Sequence, residues 1–459
     1  MWSRGSSSTG LAVDLYHIDS AYVSWRTMQN GVATFDLYTR SNPFGGAYQL
    51  VAGLEQALEF VANFRYTQDD LDYLATIKPY DPDFLHDLGR LRFTGDMLAM
   101  AEGTIAFAPE PLLQVTAPFR EALLLEAGLL HAIGRATLIA TKASRVVHAA
   151  RGRPIAEFSL RRAAEPFVVA RSAAIAGCQS TSFLEAARAY GLRGTATIPH
   201  ALIQAFPTEE AAFRAVAATL NQYTLLLDTY EVRRSVKTAV AVAREARTEW
   251  GHTLLAVRLD SGDLTGNSHY VRQVLDEAGL PEVQILASGD MDEFTIDLLL
   301  RQQAPIDGFG VGTSIGVAAG SIEHGIEGGA LGAVYKLVWY VERPDSNNSA
   351  RIKLARAKST WPGRKQVYRF GPFAEDLIQG EHEPAPAGAV PLLQPMMRDG
   401  AIVPGAIRPI PEIQELAAAS FAALPAPYQA IEQAPIYPVR WSDGLIAMRQ
   451  TASEVAWQG

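Results

Sequence analysis

The chain has 459 residues, 48% of them hydrophobic and 19% charged, with a formal net charge of −9. That composition fits a globular protein with a large core and excludes a broad basic face for nucleic acid. The single cysteine, Cys178, excludes intrachain disulfides and points to the cytosol, and no apolar run is long enough to span a bilayer. In chain order, the polar Ser/Gly stretch Met1–Gly10 reads as a disordered tail without the apolar centre of a signal peptide. Residues 11–135 read as an α+β domain. Leu11–Met28, Gly53–Phe64 and Thr67–Ile77 have helical periodicity, and Ala33–Tyr38 alternates as a strand. Glu102–Phe107 and Pro111–Thr116 are expected to pair as strands.

From about 136 to 340 the texture changes to strand–helix alternation. Seven candidate strands stand out: Ile155–Leu160, Ala173–Cys178, Gly194–Ile198, Tyr223–Asp228, Leu254–Leu259, Val283–Ala287 and Ile306–Gly310. Thr208–Tyr223 and Ser235–Trp250 read as crossover helices, and Ser180–Glu185 as the capped start of another. Seven parallel strands rather than eight predict an irregular, incomplete α/β barrel. After about 341 the alternation stops. Arg351–Leu354 and Gln366–Tyr368 read as short strands, Gly380–Gly388 as a linker, Pro391–Val403 as a hairpin turning at Asp399-Gly400, and Pro411–Ala423 as a helix. This C-terminal segment, 341–459, is expected to pack back on the N-terminal domain.

Three segments carry the chemistry: Val257-Arg-Leu-Asp-Ser-Gly-Asp263, Leu286-Ala-Ser-Gly-Asp-Met-Asp292 and Asp307-Gly-Phe-Gly-Val-Gly-Thr313. Each is an apolar run that breaks into Gly, Ser and acidic residues. In a βα fold these breaks fall at the carboxyl ends of parallel strands, where active sites are built. Glycines let backbone N–H groups approach phosphate, and carboxylates hold Mg²⁺, sugar hydroxyls or a developing cation. The pattern predicts an enzyme for a phosphorylated sugar. Asp260 and Asp263 cannot both cap one helix, so one is left for ligand; Asp292 has a helix to cap as well. Gly308–Thr313 is not a P-loop, because no Gly-Lys-Ser/Thr follows. Arg161-Arg162 ends an apolar run, where an arginine grips a carboxylate or pairs on the surface. His200 is an acid, a base, a phosphoryl acceptor or a satisfied histidine at the core edge. Tyr16 stacks on a flat ring or borders the core, and Lys336 binds phosphate or forms a structural pair.

Taken together these residues resemble the nicotinate phosphoribosyltransferases. The resemblance is carried by Asn42-Pro-Phe-Gly-Gly46, Glu110-Pro-Leu-Leu113, Ile139-Ala-Thr-Lys-Ala143, Glu157-Phe-Ser-Leu-Arg-Arg162, Asp228-Thr-Tyr230, Arg258-Leu-Asp-Ser-Gly-Asp263, Phe309-Gly-Val-Gly-Thr-Ser314 and Pro362-Gly-Arg-Lys-Gln-Val-Tyr368. It implies an irregular α/β barrel plus an α+β domain assembled from the N- and C-terminal segments. It implies transfer of phosphoribose from phosphoribosyl pyrophosphate to nicotinate, with ATP and Mg²⁺ as cofactors, in a cytoplasmic homodimer without nucleic-acid or membrane partners. On the same ground His200 is the phosphorylated histidine, and Asp260 and Asp263 hold ribose hydroxyls or the metal. Tyr16 stacks on the base, and Arg161 or Arg162 takes its carboxylate. Thr195, Ser261, Gly262, Ser288, Gly289, Asp290, Gly310, Gly312 and Thr313 line the ribose-phosphate side.

The chain departs from the family pattern around the base. Pro199 and Ala201 flank His200, Ser159 stands where a glycine is usual, and Ala163-Ala164-Glu165 follows the arginine pair. Donor binding is therefore expected to be retained, with base choice or ATP dependence open to change. The alternatives are a transferase for another base and a non-catalytic sensor of the same ligands.

Overall fold

The computed structural model of the protein describes residues 9–28, 31–342, 350–354 and 359–458. Most of the expected tail, 1–8, lies outside them. Thr9 and Gly10 are held rather than loose: the Gly10 N–H donates to Arg65 O at 3.0 Å and the Thr9 hydroxyl to Phe60 O at 3.3 Å. The chain divides into two compact units, Met1–Thr141 with Ala330–Gly459, and Lys142–Gly329.

The first unit is built on a six-stranded sheet. Its order is Ala333–Val341, Val32–Thr39, Pro111–Pro118, Asp96–Met100, Leu393–Arg398 and Ala401–Ile402, so strands from both chain ends interleave. Val32–Thr39 is an inner strand, buried along its length apart from its first residue and Tyr38. Its one acid, Asp36, is compensated there by Lys365 Nζ at 2.7 Å and the Gln114 amide at 2.8 Å. A four-stranded sheet, Ala389–Pro391, Lys365–Phe370, Glu375–Gly380 and Val439–Trp441, completes the unit's β-structure. The hairpin at Asp399-Gly400 forms as its residues require, with φ of 46° and 76°. Ile105–Ala106, however, pairs with Gln49–Leu50, not with Pro111–Pro118. Chain proximity suggested a pairing that the wider sheet overrides. Nor is Arg351–Leu354 a strand; only Ala350 bridges to Trp339.

The second unit carries a parallel sheet ordered Ser180–Thr181, Ile155–Glu157, Gly308–Val311, Gln284–Ala287, Thr253–Leu259 and Gln222–Leu226. The last strand in sequence pairs with the first, as barrel closure demands, and Thr181 bridges to Gly194 beyond the other side. The ring stays open between Gly194 and Gln222–Leu226, which makes it an incomplete barrel. Ala173–Cys178 is not one of its strands: Pro166–Ile175 is a helix. Val169–Ile175 is buried throughout, so its apolar continuity imitates a strand, while Pro166 sits in the first turn, where proline favours a helix. Ser180–Thr181 takes the strand position instead, and the next helix starts later, at Leu184.

Candidate active site

The loops after strands Thr253–Leu259, Gln284–Ala287 and Gly308–Val311 carry expected residues. Strand Thr253–Leu259 delivers Arg258 and Asp260. Arg258 shares a strand face with Ala256, a residue that lines the barrel cavity. Its guanidinium bridges three elements. Nη1 donates to Thr197 Oγ1 at 2.6 Å, Nε to Ser288 Oγ at 2.6 Å, and Nη2 pairs closely with Asp260 Oδ1. The Ser288 hydroxyl donates to the same Asp260 oxygen. Burial alone would raise the Asp260 carboxyl. The Ser288 and Arg258 hydrogen bonds, with the charges of Arg258 and His200, outweigh that and hold it below the ordinary value.

His200 opens the short helix His200–Gln204. Its Nδ1 lies 3.0 Å from Thr229 Oγ1 and its Nε2 3.6 Å from Asp260 Oδ2. Asp228 braces the acidic loop from the neighbouring strand: Oδ2 accepts the Asp260 N–H at 3.1 Å and the Ser261 hydroxyl. Asp228 Oδ1 is buried with no hydrogen-bond partner among the described residues. Asp263 caps the helix Leu264–Glu277 through Gly266 N–H at 2.9 Å, and Asp292 caps Glu293–Arg301 through Thr295 N–H at 2.8 Å. Of the Asp260/Asp263 pair, Asp263 caps the helix and Asp260 instead meets Arg258 and Ser288.

Two glycines are fixed by close approach. Gly289 has φ of 83°, and a Cβ there would stand 1.9 Å from Asp260 O. A Cβ on Gly310 would stand 2.5 Å from the Phe158 ring. Gly310 lies in the strand, opposite Ala156, so its vacancy makes room for Phe158; the loop itself starts at Gly312. Thr313 is exposed, and the buried Ser314 hydroxyl has no partner among the described residues.

A cavity of about 510 Å³ occupies the barrel, lined by Phe158, Thr195, Thr197, Ala256, Ser288 and Gly310 among others. That is ample for a small aromatic ligand. Arg161 and Arg162 lie outside this cluster. They sit in an exposed turn, and their guanidinium groups have no partner among the described residues. Tyr16 belongs to the other unit, on helix Leu15–Thr27, where its half-exposed ring is 4.0 Å from that of His17. In the same unit Lys336 Nζ is 4.0 Å from Glu126, and burial lowers its pKa.

The site therefore joins Arg258, Asp260, His200 and Ser288, with Thr197, Thr229 and Asp228 in support. Sequence pattern alone assigns no role to Arg258, Phe158, Thr197 or Asp228. Arg258 did carry a signal: a charge in the middle of an apolar strand, in step with an inward-facing alanine.

Residues 11–134 match the model of the nicotinate phosphoribosyltransferase N-terminal domain. A nicotinate phosphoribosyltransferase of Mycobacterium tuberculosis, pncB2, is 39% identical over 443 residues, covering 95% of this chain and 92% of its own. The chain belongs to the nicotinate phosphoribosyltransferase family. A Bacillus subtilis nicotinate phosphoribosyltransferase is 40% identical over 370 residues, covering 79% of this chain and 73% of its own. The crystal structure of human nicotinic acid phosphoribosyltransferase superimposes with a TM-score of 0.84 at 27% identity, covering 95% of this chain and 99% of that one. The family's fold is the one found here, an incomplete α/β barrel with an α+β unit drawn from both chain ends. Among the described residues, no helix is long and apolar enough to cross a membrane.

Proposed function

We propose that the protein transfers phosphoribose from phosphoribosyl pyrophosphate to nicotinate, giving nicotinate mononucleotide and pyrophosphate for NAD salvage. The pyridine nitrogen forms a bond to C1 of the ribose while the C1–O bond to pyrophosphate breaks, and the leaving oxygen takes that electron pair. No enzyme nucleophile is needed. Positioning and fixed charge carry the rate. The observation behind this reading is Arg258 beside Asp260 at the strand ends, next to a cavity of about 510 Å³. The cation suits an anionic base, and the carboxylate suits a ribose that gains positive charge as pyrophosphate departs.

Within this proposal Arg258, rather than the solvent-facing Arg161 or Arg162, supplies the cation for the acceptor carboxylate. Phe158 is a flat wall for the ring inside the barrel. Asp260, Ser261, Gly262 and Ser288 take the ribose; Gly289, Asp290, Gly312 and Thr313 take the phosphates. Among the described residues no three metal-ligating side chains gather. Asp263 caps a helix, whereas Asp260 meets Arg258 and Ser288 through Oδ1 and keeps Oδ2 for a ligand. The donor set therefore fits Mg²⁺ that arrives on the pyrophosphate, since that ion commonly takes one or two carboxylates plus substrate phosphates. ATP coupling belongs to the same proposal, with His200 accepting the γ-phosphoryl group and ADP leaving. So does a homodimer, on the family likeness alone.

The test is product formation. Incubation with phosphoribosyl pyrophosphate, Mg²⁺ and either nicotinate or nicotinamide should yield a mononucleotide from nicotinate. No nucleotide from either base would overturn the transferase reading.

A further inference from the structure

The loop after strand Gln284–Ala287 is a closely constrained turn. Gly289 and Asp290 have consecutive left-handed φ values of 83° and 41°. Such a turn persists only where its surroundings over-determine it. At its near end Ser288 is fixed by Arg258 and Asp260. At its far end Asp292 caps the helix, and Glu293 follows at once.

Glu293 is fully buried, and its carboxylate grips two cations from the helix Glu126–Ala149: Lys142 Nζ at 2.5 Å and Arg145 Nε at 3.0 Å. Both cations lie in the same compact unit as the loop. Apolar residues of similar volume would fill this position at no loss of stability, because desolvation offsets most of what a buried ion pair gains. What the ions add is direction. Arg145 hydrogen-bonds one oxygen of Glu293, while Lys142 meets the other as a close charge contact without hydrogen-bond geometry; together they restrain where the preceding turn begins and ends.

We propose that Glu293, clamped by Lys142 and Arg145, is a positioning residue for donor binding. It holds the Ser288–Asp292 turn in the conformation that presents Gly289 and Asp290 to the phosphoribosyl group. It touches neither substrate. The proposal rests on the phosphoribosyltransferase reading of this site.

The test is equilibrium binding and steady-state kinetics on folded wild-type, Glu293→Gln and Lys142→Met proteins. Glu293→Gln keeps the shape and removes the charge. Lys142→Met leaves Arg145 in place, and serves should the first variant not fold. In both, KM and Kd for phosphoribosyl pyrophosphate should rise roughly tenfold or more, while KM for nicotinate stays within about twofold. Glu293→Asp, which restores the charge on a shorter arm, should recover part of the donor affinity. A purely structural role would change the melting temperature without separating the two substrates. Unchanged donor affinity in a folded variant, or an equal loss for both substrates, would overturn the proposal. Wild-type protein that makes no mononucleotide would instead overturn the functional reading beneath it.

Discussion

His200 Nε2 stands 3.6 Å from the Asp260 carboxylate. The opposite ring nitrogen meets the Thr229 hydroxyl, so Nε2 is the nitrogen left facing the site. A phosphoryl group on Nε2 would place negative charge against Asp260, a repulsion of a few kcal/mol at protein-like dielectric. Asp260 would then have to re-aim, and with it Arg258 and Ser288. Phosphorylation thus has a direct route to the substrate-binding layer.

With γ-labelled ATP, the wild-type protein should acquire acid-labile phosphate, and His200→Asn should acquire none. The variant should keep transfer without ATP and lose the increment that ATP brings. Equal labelling of the variant, or undiminished stimulation by ATP, would contradict this role for His200.

Gly310→Ala tests the packing around the base. Its new Cβ would stand 2.5 Å from the Phe158 ring, inside van der Waals contact. Overpacking of this kind costs about 1–3 kcal/mol. The expected result is a lower melting temperature together with a raised KM for nicotinate, because Phe158 must leave its place. An unaltered KM would remove Phe158 from the acceptor pocket.

A pH effect is expected within the first unit. Glu110 is completely buried, and burial, then the facing Asp376, raise its carboxyl well above the ordinary value of 4.5. Asp376 already accepts from Arg369 at 2.6 Å and from the Tyr437 hydroxyl at 3.0 Å. A raised value means that the folded state binds the Glu110 proton more tightly than the unfolded chain does. Linkage gives the sign: this contribution is complete below the unfolded pKa and is lost as pH rises through the raised folded value. Glu110→Gln keeps a neutral donor and removes the titration. Melting temperatures from about pH 5 to 8 should fall more steeply for the wild type than for the variant. Parallel curves would show that Glu110 is ionised in the folded protein.

Much of the architecture was legible in the sequence, because strand-end loops advertise themselves. Asp260, Ser288, Gly289 and Gly312 all stand in breaks of Gly, Ser and acid after apolar runs, and the first three meet directly. The misreadings have physical causes. Val169–Ile175 is buried on every side, so it has no helical stripe to reveal it. Strand pairing of Ile105–Ala106 depends on distant partners that local pattern does not encode. Arg258 was hidden by role rather than by pattern. A lone charge in an apolar strand reads as anomalous, and its meaning appears only when Thr197, Ser288 and Asp260 converge on it. The adjacent Arg161 and Arg162 were more conspicuous in sequence, yet they face solvent.

Nicotinate mononucleotide formation by Arg258→Gln protein, beside wild type and the Arg161→Ala/Arg162→Ala double variant, is the most direct test of where the acceptor is held. Losing a charge-assisted contact in such a layer costs about 10²–10³ in rate. Arg258→Gln should therefore lose at least about a hundredfold in kcat/KM for nicotinate, and the double variant should stay within about tenfold of wild type. Full activity in Arg258→Gln, with collapse in the double variant, would contradict this assignment and return the acceptor carboxylate to the exposed pair.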